Sequence, residues 1–308
     1  MKPEILMIDP VLPPIEAILR EHFTLHRYES VETIGDAANR IRGVTTGGGS
    51  GLAPEIMAAL PALEVISVNG VGTDKIDLKE AKRRNIGVAT TQGVLTDDVA
   101  DLAIALMLDA SRGLTTGDRF VRDGKWPTTG VPLGQKVTGK RLGIVGFGHI
   151  GQAIAERAKG FRMDIAYFNR SEKPGASARY VPSLLQLAQE SDILILVVPG
   201  GASTDRMVNR EILDALGPKG ILINVARGTV VDEPELLSAL QEGRLGGAGL
   251  DVFAHEPNVP EAFFKLDNVV LQAHRASATI ETRLAMGHLV ANNIIAHFDG
   301  KPLLTPVV

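Results

Sequence analysis

The chain has 308 residues, 44% of them apolar and 22% charged, which is enough for two globular domains with separate cores. A formal net charge of −4 supplies no bulk attraction to nucleic acid or anionic lipid, so neither is expected as a partner. The absence of cysteine excludes disulfides and thiolate metal sites and agrees with a reducing, cytoplasmic setting.

At the N-terminus, MKPEILMIDP holds only the apolar run Ile5 to Ile8, too short for the apolar region of a signal peptide, so no export is expected. Residues 1–98 then alternate strand-like and helical patterns: EILMID, the helix PPIEAILREH, a run near IRGVTT, the helix PEIMAAL, and LEVISV. This is the rhythm of a small α/β domain. His22 and His26 have helical metal-ligand spacing, but the pattern there turns from helix to strand and no carboxylate pair accompanies them. They are read as structural, and no metal is expected. TTGGGSG at 45–51 lacks a phosphate-loop lysine and reads as a flexible strand-to-helix connection. SVNGVGTD follows a strand, so Asn69, Gly70, Val71 and Gly72 form a loop whose amides can cradle a small anion or simply make a turn.

DDVADLAIALMLDASRG predicts a helix with acidic residues at its start and Gly113 at its end; apolar residues surround it, so burial between domains or subunits is expected. The sole tryptophan, Trp126, reads as an interface-packing anchor. From about residue 141 come six unalternating apolar runs, RLGIVG, DIAYFN, DILILVVP, GILINVA, GAGLDVF and NVVLQAH, separated by segments of helix length. That pattern predicts a parallel sheet covered by helices on both faces. Helices are expected at 149–159, stopping at Gly160, at PSLLQLAQE with Pro182 as first helical residue, and after Asp232 up to Gly243. None of the apolar runs approaches the ~18 residues of a membrane span. A last long helix, SATIETRLAMGHLVANNIIAHF, is expected to return the chain to the first domain. The expected division is 1–98 with 277–308 as one domain and 99–276 as the other. The fold class is α/β, with a doubly wound parallel sheet in the second domain and a smaller flavodoxin-like first domain.

IVGFGHIG places Gly146, Gly148 and Gly151 after a strand and at the start of a helix, the dinucleotide fingerprint. The next strand ends in Asn169, Arg170 and Ser171, where a carboxylate would ordinarily hold ribose hydroxyls. A carboxylate there repels a 2′-phosphate, whereas Arg170 pairs with it, so NADPH is expected in preference to NADH. Further strands end at Arg227, Asp251 and His274, with Glu256 in between. In an open α/β sheet such carboxyl-edge residues converge, giving an Arg to bind a carboxylate, a His to exchange a proton and a Glu to orient it. His255 is the rival proton donor and ranks lower because it lies in an irregular stretch.

Taken in order, GVGTDKIDL, GVLTDDVADLAIALML, GKRLGIVGFGHIGQAIA, LINVARGTVVDEPELLSAL, GAGLDVFAHEP and LDNVVLQAH resemble the D-isomer-specific 2-hydroxyacid dehydrogenases along essentially the whole chain. They are most similar to the NADPH-using glyoxylate/hydroxypyruvate and hydroxyphenylpyruvate reductase branch. The resemblance implies two Rossmann-like domains, 1–98 with 277–308 as substrate domain and 99–276 as NAD(P)-binding domain, a homodimer, and a catalytic set of Arg227, Glu256 and His274, with the loop Asn69 to Gly72 and Arg227 holding the substrate carboxylate. The cofactor set it implies comprises Thr96, Gly146, Phe147, Gly148, His149, Ile150, Gly151, Asn169, Arg170, Ser171, Val198, Pro199, Thr204, Ala226, Arg227, Asp251 and His274. NADP(H) is the preferred cofactor and NAD(H) the second. Many members carry Pro-His-Ile-Gly at the catalytic histidine, but here Ala273, Arg275 and Ala276 surround His274. The expected reaction is reduction of a small 2-ketoacid, glyoxylate, hydroxypyruvate or an aryl pyruvate, to the D-2-hydroxyacid. The alternatives are a 2-keto sugar acid (2-ketogluconate) reductase and a non-catalytic dinucleotide-sensing protein.

Overall fold

Unalternating apolar runs become strands that are covered on both faces, and the chain forms two sheets in this way. The computed structural model describes residues 2–308 and divides them into two units, one running to Leu95 and joined by Ser277–Val308, the other Thr96–Ala276. The first unit contains β1 (Glu4–Met7), α1 (Pro13–His22), β2 (Thr24–Arg27), α2 (Val31–Ile34), β3 (Ile41–Gly47), α3 (Pro54–Ala59), β4 (Val65–Asn69), α4 (Leu78–Arg83) and β5 (Gly87–Ala89). Its all-parallel sheet has the order β2-β1-β3-β4-β5, the flavodoxin-like arrangement. β2 and β5 carry no clear periodicity of their own and were not expected from the sequence.

The second unit contains α5 (Thr96–Arg112), α6 (Leu114–Arg122), β6 (Arg141–Val145), α7 (His149–Lys159), β7 (Asp164–Phe168), β8 (Arg179–Tyr180), α8 (Leu184–Gln189), β9 (Ile193–Leu196), α9 (Arg210–Leu216), β10 (Ile221–Asn224), α10 (Glu233–Gln241), β11 (Gly247–Leu250) and β12 (Val269–Leu271). Its sheet, β12-β11-β10-β9-β6-β7-β8, is doubly wound and parallel throughout. The six expected runs are all strands, and the two-residue β8 adds a seventh. Strand order reverses between β6 and β9, so the crevice of this sheet opens at the carboxyl ends of those two strands. Every residue of β9, β10 and β11 is buried. Burying a Leu or Ile side chain of this kind stabilises by about 1.5–3 kcal/mol.

The helix starts and stops follow local chemistry. Asp232 caps α10 by accepting from the Glu235 amide, and Gly113, at φ 63°, follows α5. The expected start at Pro182 is wrong: the Ser183 side chain accepts from the Gln186 amide, making Ser183 the cap and Leu184 the first helical residue. Within its unit α5 buries Val99, Ala100, Ala103, Ile104, Leu106 and Met107 and leaves Ala105 exposed. α11 (Ile280–Phe298) belongs to the first unit and is capped by Thr279, whose side chain accepts from the Thr282 amide. A Cβ on its Gly287 would lie 2.5 Å from Ile15, which shows how closely α11 and α1 approach. Among the described residues no helix is long and apolar enough to cross a membrane.

Candidate active site

β6 is followed by Gly146, whose φ of 99° and approach to Val197 leave no room for a side chain: a Cβ there would lie 2.8 Å from the Val197 carbonyl oxygen. A Cβ on Gly151 would lie 2.2 Å from the Gly146 oxygen, so glycine lets α7 start directly over the strand end. Gly148 faces open space and caps α7 without a side-chain hydrogen bond, leaving the first-turn amides available to an anion. The cavity beside this turn has a volume of about 540 Å³. Gly146, Gly148, Asn169, Arg170, Ser171, Val198, Pro199 and Thr204 line it. These residues and this space fit a dinucleotide.

Other members of the expected cofactor set have different positions. The Phe147 side chain is buried and stacks on Tyr167, with ring centroids 4.2 Å apart. Asn169 Oδ1 accepts from the Phe147 amide at 3.1 Å, so it ties the glycine turn to the end of β7 rather than waiting for a ligand. Thr204 donates its hydroxyl to the Pro199 carbonyl at 2.7 Å. Thr96 opens α5 and, like His149, Ile150, Ala226, Asp251 and His274, does not line this cavity.

Arg227, Glu256 and His274 lie in the segments that follow β10, β11 and β12, and the charge of Arg227 acts on the Glu256 carboxylate. His274 Nδ1 lies 2.6 Å from Glu256 Oε2, and Glu256 Oε1 accepts from the Phe253 amide at 3.0 Å. Burial pushes the Glu256 carboxyl up. The His274 and Phe253 hydrogen bonds and the charges of His274 and Arg227 outweigh that and hold it below the usual glutamate range. Arg227 donates to the Ala226 carbonyl at 2.8 Å, and its own carbonyl accepts from Asn224 at 3.0 Å. Asp251 is 1% exposed, and its carboxylate accepts the amides of Arg275 at 2.8 Å and Ala276 at 3.0 Å. Burial pushes its carboxyl up against those amides, which pull it down. A second cavity, about 290 Å³, has Glu256, His274, Phe253, Phe264 and Leu271 among its walls. The rival His255 is exposed, and its carbonyl closes a turn by accepting from the Asn258 amide.

In the first unit, Asn69 ends β4 and Gly70 (φ 156°) donates to the Val68 carbonyl. Among the described residues the amides of Val71 and Gly72 make no hydrogen bond, and the buried Asn69 Oδ1 finds no donor. The stretch 45–51 is not the flexible connection expected. Thr45 to Gly47 belong to β3, the Asp9 carboxylate accepts from the Gly47 amide at 2.6 Å and the Ser50 hydroxyl at 2.7 Å, and a Cβ on Gly70 would lie 3.1 Å from Gly48 Cα. The glycines are there because two backbones touch. His26 bonds Glu4 at 2.7 Å, and no cluster of metal-ligating side chains occurs among the described residues.

Residues 104–276 match the family model of the D-isomer specific 2-hydroxyacid dehydrogenase NAD binding domain. The chain belongs to the D-isomer-specific 2-hydroxyacid dehydrogenases. This dehydrogenase is 59% identical over 307 residues to a 2-ketogluconate reductase of Gluconobacter oxydans, covering 100% of this chain and 99% of the relative. It is 49% identical over 308 residues to a hydroxyphenylpyruvate reductase of Plectranthus scutellarioides, covering 99% and 98% of the two chains. Among solved structures it is similar to the NADPH-dependent glyoxylate/hydroxypyruvate reductase of Sinorhizobium meliloti in complex with NADP and malonate. The TM-score is 0.95 and the identity 42%, over 100% of this chain and 97% of that one.

Sequence reasoning about the dehydrogenase missed three residues. Gly228 lets the end of β10 press on the segment before Glu256, since a Cβ would lie 1.9 Å from Phe253 carbonyl carbon. The RG dipeptide was visible, but the close approach was not. Lys173 lines the 540 Å³ cavity beside Arg170, five residues beyond the end of β7. Asp9 organises the glycine turn from 38 residues away in the chain, where no local pattern could link them.

Proposed function

We propose that this dehydrogenase is an NADPH-dependent reductase of small 2-ketoacids, producing D-2-hydroxyacids. The observation that carries the reading is the hydrogen-bonded His274–Glu256 pair at 2.6 Å, with the charge of Arg227 acting on the same carboxylate. The bound nicotinamide would supply a hydride to the ketone carbon. Arg227 binds the substrate carboxylate and fixes which face of the ketone is presented. The imidazolium of His274 gives the proton on Nε2 to the developing alkoxide, while Nδ1–H remains donated to Glu256, which holds the ring in one orientation. Because the Glu256 carboxyl is held low, it stays ionised through this cycle. The free amides of Val71 and Gly72 are proposed as an anion-holding element of the first unit.

The fingerprint turn holds the pyrophosphate at the start of α7, and Arg170 at the cavity wall pairs with the adenosine 2′-phosphate. A charge-assisted hydrogen bond contributes ~1.5–3 kcal/mol, so the preference for NADPH is roughly ten- to a hundredfold. The test is kcat/KM for both cofactors over a panel of glyoxylate, hydroxypyruvate, aryl pyruvates and 2-ketogluconate. No turnover with any of them would defeat the reading; an unchanged cofactor ratio in Arg170→Asp would defeat the role of Arg170. A 2-keto sugar acid as the preferred substrate is the second reading, favoured by the 59% full-length identity to a 2-ketogluconate reductase; the same panel decides between them.

The protein is further proposed to work as a homodimer. Leu114, Val121, Trp126 and Leu133 are exposed apolar side chains within one segment after α5, with Val121 54% and Trp126 68% exposed. Light scattering showing a monomer at micromolar concentration would refute it.

A further inference from the structure

The cavity wall at the end of β7 carries Arg170, Ser171 and Lys173, and no Asp or Glu lines the cavity. Neither the Arg170 nor the Lys173 side chain makes an ion pair or hydrogen bond among the described residues, and the neighbouring Glu172 is exposed and makes no ion pair there either. Two cations within four residues repel each other unless a shared anion separates them or solvent screens them. Their loop is nonetheless anchored. The amide of Lys173 donates to the Tyr167 hydroxyl at 2.8 Å. The Tyr167 ring is fully buried and stacks on Phe147 of the fingerprint at an interplanar angle of 20°. Asn169 Oδ1 accepts from the Phe147 amide, and the Tyr180 hydroxyl donates to the Asn169 carbonyl at 3.3 Å. The turn that receives the pyrophosphate and the loop that carries both cations are therefore held by one small set of contacts.

We propose that Lys173 is a second cation for the adenosine 2′-phosphate beside Arg170, and that Tyr167 is the positioning residue that sets the loop carrying it. The proposal rests on the NADPH reading. A phosphate monoester offers three oxygens, more than one guanidinium satisfies, and an ammonium on a flexible stem reaches the oxygen left over. Tyr167 touches neither phosphate. It fixes the Lys173 backbone relative to the fingerprint, so the spacing between the two phosphate-receiving elements depends on its hydroxyl.

The test is calorimetric binding of 2′,5′-ADP and 5′-AMP, two probes that differ only in the 2′-phosphate, at low and high salt. The wild-type chain is expected to favour 2′,5′-ADP by roughly ten- to a hundredfold. Lys173→Met is expected to cut that ratio about five- to tenfold, leave 5′-AMP binding unchanged and flatten the salt dependence, while Lys173→Arg keeps most of the ratio. Tyr167→Phe retains the ring stack and removes only the acceptor; its ratio is expected to fall by about threefold or more, again with 5′-AMP binding unchanged. A wild-type ratio near one overturns the NADPH reading and this inference with it. A clear wild-type preference that Lys173→Met leaves intact overturns the role of Lys173 alone. Loss in Lys173→Met without loss in Tyr167→Phe overturns the positioning role.

Discussion

Gly228→Ala adds one methyl group at the place where β10 gives way to Arg227. The new Cβ would lie 1.9 Å from the Phe253 carbonyl carbon, 2.1 Å from its oxygen and 2.3 Å from the Ala254 nitrogen. All three are backbone atoms, so no side chain can swing aside. Ordinary contact begins near 3.4 Å, and the two segments must part by on the order of 1.5 Å, an overpacking that costs ~1–3 kcal/mol. That corresponds to a few degrees in melting temperature for a chain of this size. The kinetic effect is larger. The displaced segment carries the Phe253 amide that Glu256 Oε1 accepts and leads to Glu256 itself, and misplacing a catalytic constellation by about 1 Å lowers turnover by roughly a hundredfold. The fingerprint turn and the cations of the 540 Å³ cavity follow β6 and β7 and are untouched. The expected result is a folded protein that binds 2′,5′-ADP as the wild type does, melts slightly earlier, and has kcat/KM for its ketoacid down about a hundredfold. Wild-type kcat/KM in Gly228→Ala would refute the argument that this contact aligns Arg227 with the His274–Glu256 pair.

His274→Ala and Arg227→Ala are each expected to lower kcat/KM by at least about a hundredfold, with cofactor binding retained in a fluorescence titration; full activity in either removes that residue from the mechanism. Glu256→Gln keeps an acceptor for the Phe253 amide but loses the charge opposite His274. Because the Glu256 carboxyl is lowered in the folded protein, the pair's contribution to stability is fully present above the ordinary glutamate range and is lost as pH falls through the lowered value. Melting curves of wild type and Glu256→Gln should therefore converge in acid and separate toward neutral pH; a constant gap would count against the ion pair. Asp9→Ala removes the acceptor for Gly47 and Ser50 and is expected to raise KM for the ketoacid severalfold with little change in KM for NADPH, as read by steady-state kinetics. Equal shifts in both would show a general loosening instead.

Most of the larger sheet was legible because its strands are covered on both faces and read as unbroken apolar runs. β8 and β5 escaped since two or three residues carry no period, and β2 because its sequence TLHR is only half-buried. Asp232 and Gly113 could be placed from local chemistry alone. Pro182 misled because two N-terminal signals stood side by side and the serine, which satisfies an orphan amide, fixed the boundary. In the candidate site, Arg227 and His274 could be picked out by their place after strand ends, and Glu256 by its place between them. The contacts that align them could not: Gly228 against Phe253 joins residues whose nearness depends on the register of β10 and β11. Asn169 shows the same limit from the other side, for its position was right and its partner is the Phe147 amide.

Asp251 shows why a buried charge belongs in this site. His274 sits at φ 47°, a left-handed conformation that costs a non-glycine residue about 1–2 kcal/mol. Its amide donates to the Asp251 carbonyl at 2.7 Å, and the next two amides each donate to one carboxylate oxygen of the same residue. Three successive backbone donors are thus gathered by one side chain and its own carbonyl, and hydrogen bonds to a charged group, at ~1.5–3 kcal/mol each, outweigh the strain. An asparagine could accept only one of the two side-chain bonds and would set its NH2 against the other donor. The carboxylate is costly in its turn. Burial raises its folded-state pKa, so the folded protein holds a proton more readily than the unfolded chain does, and stability declines as pH rises through that interval. A site that needs an imidazole at one fixed angle at the end of β12 therefore retains a group that lowers stability at neutral pH, because only an ionised carboxylate accepts both amides and holds the turn.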